Sequence, residues 1–454
     1  MMRNQIVDAL VIARILRAAL VVPILQVNVI WVNNELESMA DITTEVVHWK
    51  KRSIYRVPAS VIDLNKKAYK PQTVSFGPYH YGEEHLKAME EHKHRALLHF
   101  LKRSRNPIEH YVDALAEVVS DLKEAYDQLH PVWQQDTEAF LKLMILDGCF
   151  ILEILHTTTQ TLDDYAPNDP IFSNHGRLYI VPYLKRDMLM LENQLPLLVL
   201  EKLVAVEKKK TRAEEKYVTN LILEFFSQKN TVKNMEKCLH LLDVYRKSLL
   251  QEPPQKKHKK KSGNEVHQGG DEIIRSATEL HEAGIRIKKS NTRSLKDISF
   301  HGGVLKLPLI VVDDTTESMY LNLIAFERLH VGAGNEVTSY IFFMDNIIDI
   351  ARDVSLLHKC EIIQNAIGSD KAVANLFNSL SKDVALDPKS SLDEVHKNVS
   401  DYCKKPWNAW RADIMHNYFR NPWAILSVIA AILLFALTII QTVYSVLSYV
   451  HPSS

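Results

Sequence analysis

Charge stops at Arg420: no Asp, Glu, Lys or Arg occurs after it. That absence excludes a solvated C-terminal helix and leaves the run from Asn421-Pro422-Trp423-Ala424 to Tyr449 as an apolar segment too long for an ordinary buried core helix. Glycine is scarce too, 13 of 454 residues, where roughly 7% is usual. The shortage counts against folds built on phosphate-binding loops and βαβ turns, and toward helices. Cysteine is limited to Cys149, Cys238, Cys360 and Cys403, with no CxxC pair. A zinc module or disulfide framework is therefore not the basis of the fold, and a reducing, cytosolic setting fits. Net charge is missing as well, Lys plus Arg and Asp plus Glu standing at 55 each. No global field draws in nucleic acid, which is not an expected partner.

Signatures of catalysis are also missing. There is no GxxxxGK, GxSxG or HExxH: His281-Glu282 has Ile285 where the second histidine would stand, and Gly332-Ala333-Gly334 alone is too little for a dinucleotide site. No catalytic residue, cofactor or metal is assigned from the sequence.

What is present begins with the apolar C-terminus. About 20 apolar residues in helical form cross the hydrocarbon layer, so residues 421–450 are read as a single transmembrane helix with the lipid bilayer as partner and residues 451–454 as a short tail. Trp423 lies at one end and Tyr444 and Tyr449 near the other, where amphipathic rings favour the headgroup level. Ser427 and Ala431 form a small-xxx-small pair of the kind that permits weak self-association. Lys404, Lys405, Arg411 and Arg420 precede the span and no Lys or Arg follows it. Such flanks stay cytoplasmic, which implies a tail-anchored protein with a cytosolic body. Were the body outside, Asn398-Val399-Ser400 would be a glycosylation acceptor.

Residues 1–50 are read as an N-terminal extension. Asp8, Arg14 and Arg17 interrupt the apolar stretch from Met1 to Val32, and no Ala-x-Ala site follows, so a signal peptide or second anchor is the weaker reading. Residues 51–420 read as a mainly α, helix-rich body. Proline and glycine punctuate Ile54 to His80, a strap laid over a helical core. Helices follow through Leu86, Met89, Leu97 and Phe100, and through Tyr111, Leu115, Val118, Leu122 and Leu129. His85, His92 and His99 recur every seven residues, but no carboxylate or cysteine completes a metal site.

Two apolar blocks, Phe140 to Glu153 and Asp187 to Leu203, should form the core as buried central helices. Asp147, Glu192, Asn193 and Gln194 fall inside them, where an unsatisfied polar group costs a few kcal/mol. Asp147 and Glu192 are the candidate catalytic carboxylates, together with the Met89 to Arg95 segment. The competing reading is structural: these groups satisfy backbone, including carbonyls freed by Pro196.

The succession Ile54-Tyr55-Arg56-Val57-Pro58, Gly77-Pro78, Met89-Glu90-Glu91-His92-Lys93, Asp147-Gly148-Cys149-Phe150, Leu191-Glu192-Asn193-Gln194-Leu195-Pro196 and Tyr418-Phe419-Arg420-Asn421-Pro422-Trp423-Ala424 resembles the plant family of unknown-function proteins numbered 247, also termed uncharacterised family 0481. The resemblance runs from about Ile54 to the end. It implies one helix-rich body followed by a single C-terminal span, with no established activity. It also implies a recognition role of the kind associated with self-incompatibility in grasses. The plasma membrane is the expected host membrane.

Residues 251–270, with Pro253-Pro254 and Lys256-Lys257-His258-Lys259-Lys260-Lys261, read as a disordered basic linker. Beyond it, Gly284 should cap a helix through Ala277 and Leu280. Leu295 to Phe300 and Val304 to Val312 should form a small antiparallel hairpin with Pro308 at an edge. Helices are expected at Thr316 to Leu329, Ser339 to Asp353 and Ser369 to Val384, the last capped by Ser369. Two functions remain: a membrane-anchored module that binds unidentified proteins in recognition or signalling, or a membrane-associated enzyme using the core carboxylates.

Overall fold

A computed structural model describes residues 51–158, 164–209, 215–226, 235, 237–252, 275–382, 392–417 and 422–450. The N-terminal extension, most of the basic linker and the last four residues lie outside them. From Ser53 onward the chain is one compact unit. Its first stretch, residues 53 to 83, is extended and irregular apart from single helical turns at Ala59–Ile62 and Lys66–Tyr69, as expected of a strap.

The principal N-terminal helices are α1 (Ala88–Ser104), α2 (Ile108–Ala116), α3 (Val119–Glu124), α4 (Thr137–His156), α5 (Val181–Met188), α6 (Leu197–Glu207), α7 (Glu215–Phe226) and α8 (Leu241–Leu249), with short helices at Pro131–Gln135 and Asn174–Tyr179. The centre is α4. Asp136 caps it, accepting from the Ala139 amide, and every residue from Leu143 to His156 is buried. Each large apolar side chain buried there contributes about 1.5–3 kcal/mol. Helices α1 and α6 pack directly on α4, and α2 packs on α6. Gly148 sets the α4–α6 distance: a Cβ there would stand 2.5 Å from Leu203 Cδ1 and 3.0 Å from Val199 Cγ1.

Two expected helices are corrected. The Tyr111 to Leu129 pattern is divided between α2 and α3, and the second apolar block is not one helix. Helix α5 ends at Met188, residues 189–196 run irregularly through the core, and α6 starts after Pro196. A ring without an N–H suits the position before a helix better than its interior. Burial all round marked the block as core without specifying that it was helical throughout.

The C-terminal half opens with α9 (Ala277–Glu282), closed by Gly284: the Gly284 amide bonds to His281 O and the Ile285 amide to Leu280 O. Strands β1 (Arg286–Lys289), β2 (Ser299–His301), β3 (Val304–Leu307) and β4 (Ile310–Val312) follow. The hairpin is present, β2 pairing antiparallel with β3, and β1 adds to β3 in parallel. Pro308 does more than mark an edge. It separates β3 from β4, which pairs in parallel with β5 (Ile363–Asn365) in a second, two-stranded sheet. A residue with no N–H cannot continue the ladder, so the Val304 to Val312 run serves two sheets.

Helices α10 (Thr316–Leu329), α11 (Glu336–Ile347), α12 (Ala351–Lys359), α13 (Asp370–Leu380), α14 (Asp393–Cys403), α15 (Pro406–Asn417) and α16 (Pro422–Val450) complete the chain. Helix α10 has the expected bounds, and Ser369 caps α13 by accepting from the Ala372 amide. The run expected from Ser339 to Asp353 breaks after Ile347, where Asp353 Oδ2 accepts from the amides of Asp349 and Ile350. In α16 the 22-residue stretch Leu426–Leu447 is apolar, with a mean hydropathy of 2.5 over its most apolar 18 residues, none of which is buried. The helix is long and apolar enough to cross a membrane.

Candidate functional site

The buried polar groups of the core converge on the strap. Lys93 has the spacing of a core residue, standing in the apolar stripe of Met89, Ala96 and Phe100 on α1, and it is fully buried. Its ammonium donates to Ser75 O at 2.6 Å and more weakly to Ser75 Oγ at 3.4 Å, and it forms ion pairs with Glu90 Oε1 and Asp147 Oδ1, each at 2.7 Å. Burial opposes charge on Lys93, but the two carboxylates outweigh it and raise its pKa. Asp147 is pushed by burial up to about 6, against the pull of Lys93 and of the Gly77 amide, which donates to its Oδ2 at 2.8 Å. Gly77 has φ +70°, and a Cβ there would meet Gln194 O and Tyr126 Oη at 2.9 Å. Only glycine fits this point of the strap.

Glu192 takes another part of the same segment. Its Oε1 accepts from the Val57 amide at 2.6 Å and its Oε2 from Arg56 Nη1 at 3.1 Å, with His80 Nε2 at 3.5 Å. Asp187 Oδ2 accepts from three successive amides, Gln72, Thr73 and Val74, at 3.0, 2.6 and 3.1 Å. Burial raises its pKa although those three donors oppose the rise.

Asn193 and Gln194 are buried, as the sequence predicts. Their partners are backbone groups, though not those freed by Pro196. Asn193 Oδ1 accepts from the Phe76 amide at 2.6 Å, and its Nδ2 donates to Val74 O and Asp187 O. Gln194 Nε2 donates to Met188 O and Met190 O at 2.7 Å, while its Oε1 accepts from the Leu242 amide. Irregular backbone has no ladder of its own, and these side chains supply the missing partners.

The far half of the chain joins the same arrangement. Asn322 Nδ2 and Ser318 Oγ on α10 both donate to Ala68 O, and Asn322 Oδ1 accepts from the Leu191 amide. Asp187, Ser318 and Asn322 were not singled out from the sequence, and Lys93 entered only as part of the Met89 to Arg95 segment. A charge inside the Met89, Ala96 and Phe100 stripe was the readable sign of Lys93; the others carry no local signal.

Asp147 and Glu192 thus serve different parts of the strap, and each is held by a backbone amide and a basic side chain. The Met89 to Arg95 segment contributes Lys93 and the Arg95–Asp169 ion pair at 2.9 Å. A groove of about 200 Å³ between the strap and α10 is lined by Val57, Val61, Tyr69, Leu321, Ile324 and Leu380 among others, and neither Asp147, Asp187 nor Glu192 lines it. His85, His92 and His99 do not converge: His85 precedes α1 and bonds to Pro71 O, His99 bonds to Asp164, and burial lowers the pKa of His92. Among the described residues, no group of three or more His, Cys, Asp or Glu is placed to hold a metal ion.

Residues 54–437 match the family model of plant proteins of unknown function 247. The chain belongs to this family. A UPF0481 protein of Arabidopsis thaliana is 33% identical, the match covering 88% of this chain and 87% of that one. A putative UPF0481 protein from the same plant is 22% identical, with 90% and 93% covered. A shorter similarity, 57% over 53 residues, is to O-fucosyltransferase 20 of Arabidopsis thaliana and covers 10% of this chain and 9% of that protein. No solved structure matches the chain. The family match begins at the strap and takes in its whole arrangement on α1, α4, α5 and α10, so within the family this arrangement is the natural unit to test.

Proposed function

We propose that this family member is a single-pass membrane protein, anchored by α16, whose cytosolic helical body binds other proteins in recognition or signalling, with the plasma membrane as host. The observation that carries the anchor is α16: every described side chain from Leu426 to Leu447 is exposed. A stretch of that length left in water exposes far more contiguous apolar surface than soluble proteins tolerate. Lys404, Lys405, Arg411 and Arg420 on the near side of the span support a cytosolic body.

The binding role is favoured over an enzyme of the core carboxylates because Asp147, Asp187 and Glu192 are occupied in holding the strap. A general acid or base has to reach a substrate proton within about 3 Å. Protease treatment of sealed vesicles with the cytosolic face outward tests the orientation. Digestion of the body with retention of a fragment containing α16 is expected. A protected body carrying glycan at Asn398 would overturn it. For the role, proximity labelling from the native membrane should recover a reproducible protein set that is lost when the body is removed and the anchor kept. Recovery of the same set by the anchor alone would overturn it.

A further inference from the structure

Helix α15 stands between the body and α16. It is fixed to the body on one side: it packs on α9, Ala412 is buried, and Arg411 lies over Gly284, where a Cβ would come within 2.8 Å of its Nη1. Elsewhere on the helix Trp407 and Trp410 are 71% and 55% exposed, their rings 5.2 Å apart. Lys404 and Lys405, just before the helix, are exposed as well. Two adjacent indoles in contact with water need an occupant, and a position between an apolar and an aqueous phase suits an indole, which has an apolar body and one N–H.

From these features we infer that α15 is a second membrane contact, with Trp407 and Trp410 seated at the headgroup boundary of the leaflet that α16 enters and Lys404 and Lys405 beside anionic headgroups. The inference rests on the membrane reading of α16. Proximity carries it: α15 ends at Asn417 and α16 starts at Pro422, a gap that spans at most about 18 Å fully extended. Trp410 lies seven positions before Asn417 on the helix, about 10 Å along its axis. The tether thus holds the pair within reach of the bilayer surface, where a contact too weak to act alone becomes intramolecular. Cations next to an anionic leaflet strengthen it, and Trp with Lys or Arg is the composition of interfacial helices. The consequence is orientation, since a body held at both α15 and α16 presents one fixed side to the cytosol.

The test uses the full chain in vesicles containing phosphatidylserine, with lipids brominated near the headgroup end of the acyl chain. The sequence has six tryptophans, of which Trp423 stands at the start of α16. If Trp407, Trp410 and Trp423 are the quenched residues, Trp407→Phe with Trp410→Phe should remove about two thirds of the lipid-quenched emission. Both side chains are exposed, so the variant keeps its fold, checked by circular dichroism. Unchanged quenching in a chain that resists carbonate extraction overturns the inference and leaves the span intact. Extraction of the wild-type chain by carbonate overturns the span and the inference with it. Indoles shielded from acrylamide and from bromolipid alike would assign the pair to a protein partner and also overturn it.

Discussion

At the residue scale, the recurring device is a buried carboxylate or amide that accepts from backbone amides left without a partner in a helix or strand ladder. Asp147, Asp187, Glu192 and Asn193 do this for the strap, and Glu327 does it for the start of α11, accepting from the amides of Val337 and Thr338. Lys93 is the exposed flank of the scheme energetically, although it is sealed from water. Lys93→Met should cost about 3–5 kcal/mol, because it strands Asp147 as a buried charge. Lys93→Met combined with Asp147→Leu should cost clearly less than the sum of the single changes, as two coupled sites require. Denaturant unfolding of the detergent-solubilised chain reads both, and additivity would refute the coupling.

His240 offers a pH-dependent counterpart. It is fully buried, its Nε2 donates to Ser53 O and its Nδ1 accepts from the Asp243 amide, a pattern that requires the neutral ring. Burial pushes its pKa from 6.5 down to about 4. A depressed pKa contributes stability that is complete above the unfolded value and lost as pH falls through the folded one. The stability difference between wild type and His240→Gln should therefore be full at pH 7.5 and shrink by as much as about 3 kcal/mol as pH falls from about 6.5 to 4. Equal gaps at both ends of that window would overturn the assignment.

At the element scale, the strap behaves as core although it has almost no secondary structure. Amides of Val57, Thr73, Val74, Phe76 and Gly77 each end on a side chain of the buried framework. Hydrogen exchange at these five should be slow, within about tenfold of the amides of α4, since exposing them requires opening the core. Exchange as fast as at exposed positions would mean that the strap detaches locally and that the framework is not built around it.

Much of this element was legible beforehand. Proline and glycine spacing marks an irregular segment, and apolar blocks interrupted by Asp, Glu, Asn and Gln mark a core that must satisfy something. Which backbone groups those side chains would meet was not legible, because Gly77 and Asp147, or Ala68 and Asn322, lie far apart in sequence and meet only in the folded chain.

At the scale of the whole molecule, Asn322 and Ser318 join the C-terminal half to the strap and to residues 189–196, so one cooperative unit includes both sides of the basic stretch. Deleting Gln255 to Gly269 should leave cooperative thermal unfolding in place. That stretch, outside the described residues, has Val266 as its one apolar side chain, and the entropic cost of loop closure depends only weakly on loop length. Loss of the cooperative transition in the deletion would show that the linker contributes to the core.

The sequence by itself determined the class of fold and its polarity along the chain: a helix-rich body, an apolar helix of membrane-spanning length after the last charge, the two blocks that become the core, and the caps at Ser369 and Gly284. Such features depend on periodicity, charge and local backbone preference, which act over a few residues. Tertiary structure decided that the second block bends through an irregular buried segment, that Pro308 divides one strand between two sheets, and that Asp147 is paired with Lys93. Those outcomes depend on which distant groups arrive to satisfy a buried amide, carbonyl or charge, and the energy of an unsatisfied buried group is large enough to override a local preference for helix or strand.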